Sequence, residues 1–169
     1  MTGAAQRFSL FGALAGALLL CACGFTPLYG VPGVSPSLSA IEVKAPHGRT
    51  AYLLGADLDE AFARDRSTPP VYQLNFTVAE RRYPRGLRID NVATLYETHV
   101  NVSYQLIELA TGRLVKAGVE PIQVVYDVAD QPYAGIAAQQ NSQERAAEEA
   151  AERIRTDLAI YFTTQARKN

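Results

Sequence analysis

The chain has few of the residues on which disulfide-rich, metal-binding and catalytic proteins depend. Its 169 residues include two cysteines, two histidines, one methionine and no tryptophan. One residue separates Cys21 from Cys23, so in an extended chain their Cα atoms are about 6–7 Å apart and their side chains point to opposite faces. A disulfide between them is therefore not expected. His47 is the next candidate ligand and lies far along the chain, so a zinc site is not expected.

Recognisable catalytic motifs are also missing from the sequence. No nucleophile lies in a glycine-flanked turn, and neither a phosphate-binding glycine loop nor a metal-ligand cluster can be recognised. His47 falls in a predicted turn and His99 in the polar phase of a predicted strand, so both are interpreted as solvated side chains. The sequence therefore predicts a binding protein that is not an enzyme and needs no metal or cofactor.

The two cysteines follow the apolar run at residues 8–20. This run has the length of a signal-peptide core and is short for a membrane span, which needs about 20 residues. Leu20-Cys21-Ala22-Cys23 resembles the lipobox of bacterial lipoproteins, in which a small residue precedes the lipidated cysteine. If Cys21 carried the lipid, Leu20 would occupy the position of the small residue, and leucine is too large for it. Cys23, preceded by Ala22, is therefore predicted to carry the lipid, and Cys21 to leave with the signal peptide. The alternative is an ordinary signal peptide cleaved near Ala22.

Cleavage before Cys23 divides the chain into three parts. Residues 1–22 form the signal peptide, residues 23–37 a lipidated linker rich in proline and glycine, and residues 38–169 one α/β domain. The signal peptide contains one of the 16 basic residues and none of the 17 acidic ones, so the mature chain is slightly acidic. An aspartate directly after the lipidated cysteine retains lipoproteins at the inner membrane. This chain has Gly24 there, so we expect the mature protein to be located at the outer membrane.

Hydrophobic periodicity predicts four strands and two helices after the linker. Alternation of apolar and polar residues predicts strands at 38–44, 71–82, 92–108 and 114–127. Apolar residues recurring every three or four positions predict helices at 50–66 and from about 141 to 167. The order βαβββα indicates an α+β two-layer sandwich, with a four-stranded sheet and two helices on one face.

Individual residues make these predictions more specific. Glu144 lies three residues after a possible helix cap at Asn141, as in a capping box, and Ser142 is the alternative cap. Pro121 cannot donate to a strand ladder, so the fourth strand is expected at an edge of the sheet or to contain a bulge. Leu158 should be buried against the sheet, while Glu149 lies on the opposite face of the last helix.

Four arginines form a cluster at the junction of the second and third predicted strands: Arg81, Arg82, Arg85 and Arg88. A turn predicted at residues 83–86 would gather them. One interpretation is a solvated hairpin tip. The other is a phosphate-binding site, because guanidinium groups bind phosphate oxygens bidentately. Export excludes nucleic acid as the partner, so the expected polyphosphorylated ligand is the head group of lipopolysaccharide.

The whole chain resembles the LptE family of lipopolysaccharide-assembly lipoproteins, especially its alphaproteobacterial members. The resemblance rests on the opening at residues 23–30, on residues 127–133 before an Ala/Glu-rich helix, and on the end of that helix at 158–162. It implies an outer-membrane lipoprotein that faces the periplasm, sits in the lumen of an LptD β-barrel and helps that barrel assemble. It also implies contact with lipopolysaccharide, without catalysis.

A second interpretation belongs to another class of envelope protein. Auxiliary lipoproteins of phospholipid-trafficking ABC transporters are also α/β sandwiches on a lipidated cysteine. That interpretation predicts a transporter as the partner and no effect on lipopolysaccharide. A periplasmic hydrolase is the third possibility, and it would need a pocket holding a paired nucleophile and base.

Overall fold

The computed structural model describes residues 33–87, 93–128 and 131–168. Within these ranges, three helices and four strands follow one another in the order αβαβββα. The elements are α1 (Val34–Ser39), β1 (Ile41–Lys44), α2 (Arg49–Ala61), β2 (Tyr72–Leu87), β3 (Ala93–Glu108), β4 (Arg113–Asp127) and α3 (Pro132–Ala166).

The four strands form one mixed sheet in the order β1-β2-β3-β4. Short β1 runs parallel to β2, and their connection passes through α2, as parallel neighbours require. β2, β3 and β4 are antiparallel and joined by hairpins. In the β3–β4 hairpin, Gly112 has φ 67° and its N–H donates to the Glu108 carbonyl at 2.8 Å. The predicted α+β sandwich is confirmed, with one helix more than expected.

The extra helix, α1, begins inside the segment predicted to be an irregular linker. Val34 and Leu38 are both buried in the core, so burial of these two side chains stabilises the short helix. Pro36 is tolerated because it lies in the first turn, where backbone N–H groups have no partner within the helix. The strand predicted from residue 38 therefore begins only at Ile41.

Helix α2 ends earlier than its periodicity indicated. The helix stops at Ala61 rather than near residue 66, and Ala63 has a positive φ of 49°. The Asp65 carboxylate then accepts hydrogen bonds from the Ser67 N–H at 2.9 Å and the Ser67 hydroxyl at 2.6 Å. This local Asx turn competes with helical hydrogen bonding and turns the chain toward β2.

Helix α3 begins about ten residues before the predicted start, so the capping-box prediction at residues 141–144 is wrong. Gln131 is the N-cap and Pro132 occupies the first turn, where its missing N–H costs nothing. Ser142 is buried within the helix, and its hydroxyl donates to the Gln139 carbonyl at 2.7 Å. At 1.5 Å per residue, the 35-residue helix is about 52 Å long.

The core lies between the helices and one face of the sheet. Leu158 is fully buried there, as predicted, whereas Glu149 is 45% exposed on the other side of α3. Tyr104 lies on the same sheet face, and its hydroxyl donates to Asp157 of α3. Burial and the Asp157 carboxylate raise the pKa of Tyr104 well above its ordinary value, so the phenol stays protonated.

The position of β4 at the edge of the sheet is compatible with a proline in this strand. Pro121 pairs with Asn101 of β3 and, among the described residues, has no strand on its other side, so the missing N–H interrupts no ladder there. The bulge in this hairpin lies elsewhere, where the register shifts between Leu106 and Ile107 of β3. The edge position therefore accounts for Pro121 without a bulge.

Candidate ligand-binding surface

The arginine cluster lies on a strand rather than on a turn. β2 continues beyond residue 82 to Leu87, so the turn predicted at 83–86 is wrong. Pro84 is accommodated opposite Tyr96 because, in the part of the chain that the structure describes, β2 has no second neighbouring strand at this point. Arg88 lies outside the described residues.

Strand alternation separates the remaining three arginines. Arg81 and Arg85 are in the phase that projects away from the helices, onto what we call the open face of the sheet. Arg82 projects to the opposite, helix-covered face. The structure therefore brings together two of the predicted residues and not the third.

Arg82 instead connects β2 to the start of α3. Its guanidinium donates to Gln139 Oε1 at 2.6 Å and lies 5.0 Å from the centroid of the Tyr96 ring. Tyr96 in turn stacks on Tyr126 with a centroid distance of 5.8 Å. These contacts join β2, β3, β4 and α3 at one end of the domain and favour a structural role for Arg82.

A polar network surrounds Arg85 on the open face. Arg85 Nε donates to Glu97 Oε2 at 2.8 Å, and His99 Nε2 lies 2.8 Å from Glu97 Oε1. The Tyr83 ring meets the His99 ring edge-on at 4.8 Å between centroids. His99 was expected to be solvated, but its side chain is only 29% exposed. The i, i+2 spacing of Glu97 and His99 predicts that both lie on the polar face of the strand, as they do, but their contact with each other and with Arg85 was not predicted.

The network favours the ionised form of Glu97. The hydrogen bond with His99 and then the bond from Arg85 lower the pKa of this carboxyl below its ordinary value. A pKa lowered on folding means that these contacts contribute stability above the unfolded-state pKa. That contribution is lost as pH falls through the lower, folded-state value. At neutral pH Glu97 therefore neutralises part of the charge of Arg85. No ion pair involves Arg81 within the described part of the chain, and its side chain is exposed.

Farther along the open face, the sheet forms a shallow groove of about 480 Å³. Small and polar side chains of β2, β3 and β4 line it: Asn75, Thr77, Ser103, Gln105, Ala117 and Val119. Their amides and hydroxyls can form hydrogen bonds with a polar ligand or partner backbone. They offer no nucleophile paired with a base.

A second groove, of about 450 Å³, lies between α2 and α3 and is acidic. Partial burial, followed by repulsion from Glu148 and Glu60, raises the pKa of Asp57. Glu144 and Glu152 add two further carboxylates to the lining. Like charges repel, so this groove disfavours phosphate. Of the two grooves, only the one on the open face is compatible with an anionic ligand.

Cys21 and Cys23 lie outside the described residues, so the lipidation site stays a prediction. Across the three described ranges, no group of histidine, cysteine, aspartate and glutamate side chains could hold a metal ion. Among the helices of those ranges, none combines the length and apolar character needed to cross a membrane.

Comparison with known families identifies the chain. A family model for LptE, described as lipopolysaccharide-assembly, matches residues 38–158, which include all four strands and most of α3. The chain belongs to the LptE family. Membership of this family implies a role in lipopolysaccharide assembly by a lipoprotein that is not an enzyme. No curated protein sequence matches the chain.

Solved structures of lipoproteins are also similar to this chain. A crystal structure of a protein from Caulobacter crescentus CB15, described as a lipoprotein, is 46% identical with a TM-score of 0.69, covering 79% of this chain and 97% of that one. Lipoprotein B from Nitrosomonas europaea is 13% identical with a TM-score of 0.56, over 73% of this chain and 83% of that one. The second likeness shows a shared fold alone.

Proposed function

We propose that this LptE-family chain is an outer-membrane lipoprotein that partners an LptD-type β-barrel in lipopolysaccharide assembly. The family match over residues 38–158 and the 46% identical Caulobacter lipoprotein support the assignment. The lipobox ending in Cys23 supplies the anchor. The protein acts by binding, because its open face offers hydrogen-bonding and cationic groups without a paired nucleophile and base.

The observation that carries contact with lipopolysaccharide is the placement of Arg81 and Arg85 on the open face. Four residues along a strand separate their Cα atoms by about 13 Å. That spacing suits two phosphate groups of one polyphosphorylated head group better than a single phosphate. Arg81 is the stronger site, because Arg85 already forms an ion pair with Glu97 at 2.8 Å.

Lipopolysaccharide binding can be tested with the unlipidated domain. The double variant Arg81→Ala and Arg85→Ala should bind lipopolysaccharide several-fold more weakly, because exposed charge-assisted contacts are individually modest. The matched control is Arg66→Ala with Arg113→Ala, which removes the same charge from side chains that are 81% and 72% exposed. Equal affinity of the two double variants by surface plasmon resonance would exclude the open-face site.

The lipid anchor has its own test in the full-length chain. Cys23→Ala should leave an uncleaved precursor without acyl chains, because its thiol is the nucleophile that accepts the lipid. Cys21→Ala should be processed and acylated normally. Acylated Cys23→Ala protein in a mass spectrum would show that the lipobox frame is wrong.

The partner is tested by purifying the tagged lipoprotein from outer membranes. Recovery of a β-barrel of the LptD type supports the proposal. Recovery of an ABC-transporter complex instead would support the auxiliary-lipoprotein interpretation. Depletion of the chain should also reduce lipopolysaccharide at the cell surface, an effect that a phospholipid-transport role would not produce.

A further inference from the structure

The two edges of the sheet differ in how much of their backbone is paired. β1 pairs only with Tyr72–Asn75 of β2. Beyond that point, residues 76–87 have β3 on one side and, within the described chain, no strand on the other. Among the described strands, β4 forms the opposite edge along its whole length. Exposed edges can accept a further strand unless something prevents it.

Backbone hydrogen bonds identify the groups that point outward from β2. The Leu109 N–H donates to the Val71 carbonyl at 2.9 Å, whereas the Tyr72 N–H donates to Ala40 on the β1 side. Antiparallel pairing alternates along a strand, so the even-numbered residues of β2 direct N–H and C=O away from β3. Val78, Glu80 and Arg82 therefore present outward backbone groups.

The β4 edge is blocked by its own proline and by α3. The Val128 N–H bonds to Thr94 of β3 at 2.9 Å, so the odd-numbered residues of β4 face outward by the same alternation. Pro121, one of them, has no N–H to offer. The Pro121 carbonyl accepts a hydrogen bond from Arg153 at 3.0 Å, and the Val125 carbonyl accepts one from Arg145 at 3.4 Å.

The β2 edge has no comparable protection between residues 78 and 83. No side chain in the described ranges hydrogen bonds to the backbone of this segment, and residues 79–86 are exposed. Side chains of α2 and α3 reach side chains of this segment but not its backbone: Thr50 and Gln143 contact the Glu80 carboxylate at 2.7 Å and 3.0 Å, and Gln139 contacts the Arg82 guanidinium at 2.6 Å. The pairing-competent stretch ends at Pro84, which has no N–H, and at Gly86, whose φ is 56°.

We propose that residues 78–83 of β2 accept an extended, acidic segment of a partner protein by strand addition. Backbone pairing would supply affinity, and the cations beside the edge would select the partner's side chains. Arg81 lies on the open face of the sheet and Arg82 on the helix-covered face. Arg85 lies on the open face, two residues after the end of this segment. A second copy of this chain is disfavoured, because antiparallel self-pairing about residues 81–82 would bring like charges together.

The proposal rests on the proposed function for the identity of the partner, an LptD-type barrel protein.

Two substitutions at Arg82 separate the backbone donor from the charge. Arg82→Pro removes one outward N–H and the guanidinium, whereas Arg82→Ala removes the guanidinium alone. The comparison therefore isolates the backbone donor. Gln123→Pro is the matched proline control at an outward position of the blocked β4 edge.

The experiment compares recovery of the same organism's barrel with full-length tagged lipoprotein. Arg82→Pro should recover roughly three- to tenfold less barrel than Arg82→Ala, the factor expected for one backbone hydrogen bond. Gln123→Pro should match the unsubstituted protein. Equal recovery by the two Arg82 variants would overturn the proposal while leaving the proposed function intact. Failure of the unsubstituted protein to recover the barrel would overturn both.

A second measurement does not depend on proline substitution. A photo-crosslinking amino acid at Ala79, exposed beside the edge, should give an adduct with an acidic segment of the barrel protein. The same group at Gln123 should not. An adduct with a second copy, or with residues 24–32 of the same chain, would show that another occupant covers the edge and would overturn the proposal.

Discussion

The three long strands of the sheet present two surfaces of opposite character, although neighbouring residues contribute to both. Val124 and Val125 are adjacent in β4, yet Val124 is 6% exposed beneath α3 and Val125 is 50% exposed on the open face. The covered face consists mainly of Val, Leu, Ile, Phe and Tyr side chains. The open face has amides, hydroxyls, two arginines and a histidine. One face is dehydrated by the helices and stabilises the domain, so the other is free to bind.

The two faces also differ in their tolerance of added volume. On the covered face, a Cβ at Gly118 would lie 2.5 Å from the Tyr104 hydroxyl, which is tied to Asp157. On the open face, the groove of about 480 Å³ has space above the strands. Close packing on one side and a groove on the other follow from placing all three helices against the same surface.

The largest expected effect comes from truncating a buried side chain in the helix layer that covers one face of the sheet. Leu158→Ala should lower the free energy of unfolding by about 2–5 kcal/mol, because it opens a cavity in the core. Ile160 lies on the same helix and is 50% exposed, so Ile160→Ala should cost well under about 1 kcal/mol. Urea denaturation of both variants measures the difference. Equal midpoints would contradict the helix-on-sheet packing.

Overpacking the covered face should have the next largest effect. Gly118→Ala forces its Cβ against Tyr104 and should cost about 1–3 kcal/mol. If the clash is the cause, Tyr104→Leu should make the added cost of Gly118→Ala smaller. A double-mutant cycle of thermal midpoints tests this coupling, and strictly additive costs would show that the tyrosine is not the obstacle.

The adjacent valines of β4 provide the most direct test of the two faces. Val124→Ala removes two buried carbons and should cost about 1.6 kcal/mol, from about 0.8 kcal/mol for each. Val125→Ala should change the free energy of unfolding by no more than about 0.5 kcal/mol. Since the chemical change is identical, any difference in denaturation midpoint reports burial. A greater loss for Val125→Ala would reverse the assignment of the faces.

The smallest effect has the opposite sign. Thr98 is fully buried on the covered face, and its hydroxyl has no hydrogen-bond partner in the described structure. Thr98→Val replaces the hydroxyl with a methyl group of similar size and should raise stability by about 1 kcal/mol. Thr77→Val on the open face is the control and should have little effect on stability. Destabilisation by Thr98→Val would indicate that the hydroxyl has a partner after all.

Local patterns in the sequence predicted the strands better than the helix ends. Alternation placed β3 within one residue of its observed start and indicated the polar face of the sheet, since a period of two follows from strand geometry. Helix α3 was predicted to start near residue 141, because a plausible cap there looked like a beginning. The residues before it contain enough alanine and glutamine to remain helical, and Pro132 provides the actual start.

The arginine cluster shows where sequence reasoning reached its limit. Proximity in sequence predicted a shared site, and Pro84 and Gly86 predicted a turn. β2 nevertheless continues through both, because β3 pairs with it as far as Leu87. The strand then sends Arg81 and Arg85 to one face and Arg82 to the other. Strand pairing decided which charges could act together.

The amino-acid pattern alone was therefore sufficient for the fold class, for the alternating faces of the strands and for the burial of Leu158. These properties depend on the period of side chains along a strand or helix, which any short window contains. Contacts between distant segments determined the burial of α1, the separation of Arg82 from its neighbours and the protection of one sheet edge. Arg82 reaches Gln139, and Arg153 reaches the Pro121 carbonyl. Such pairings exist only after the chain has folded, because no local pattern specifies which distant segment a side chain will meet.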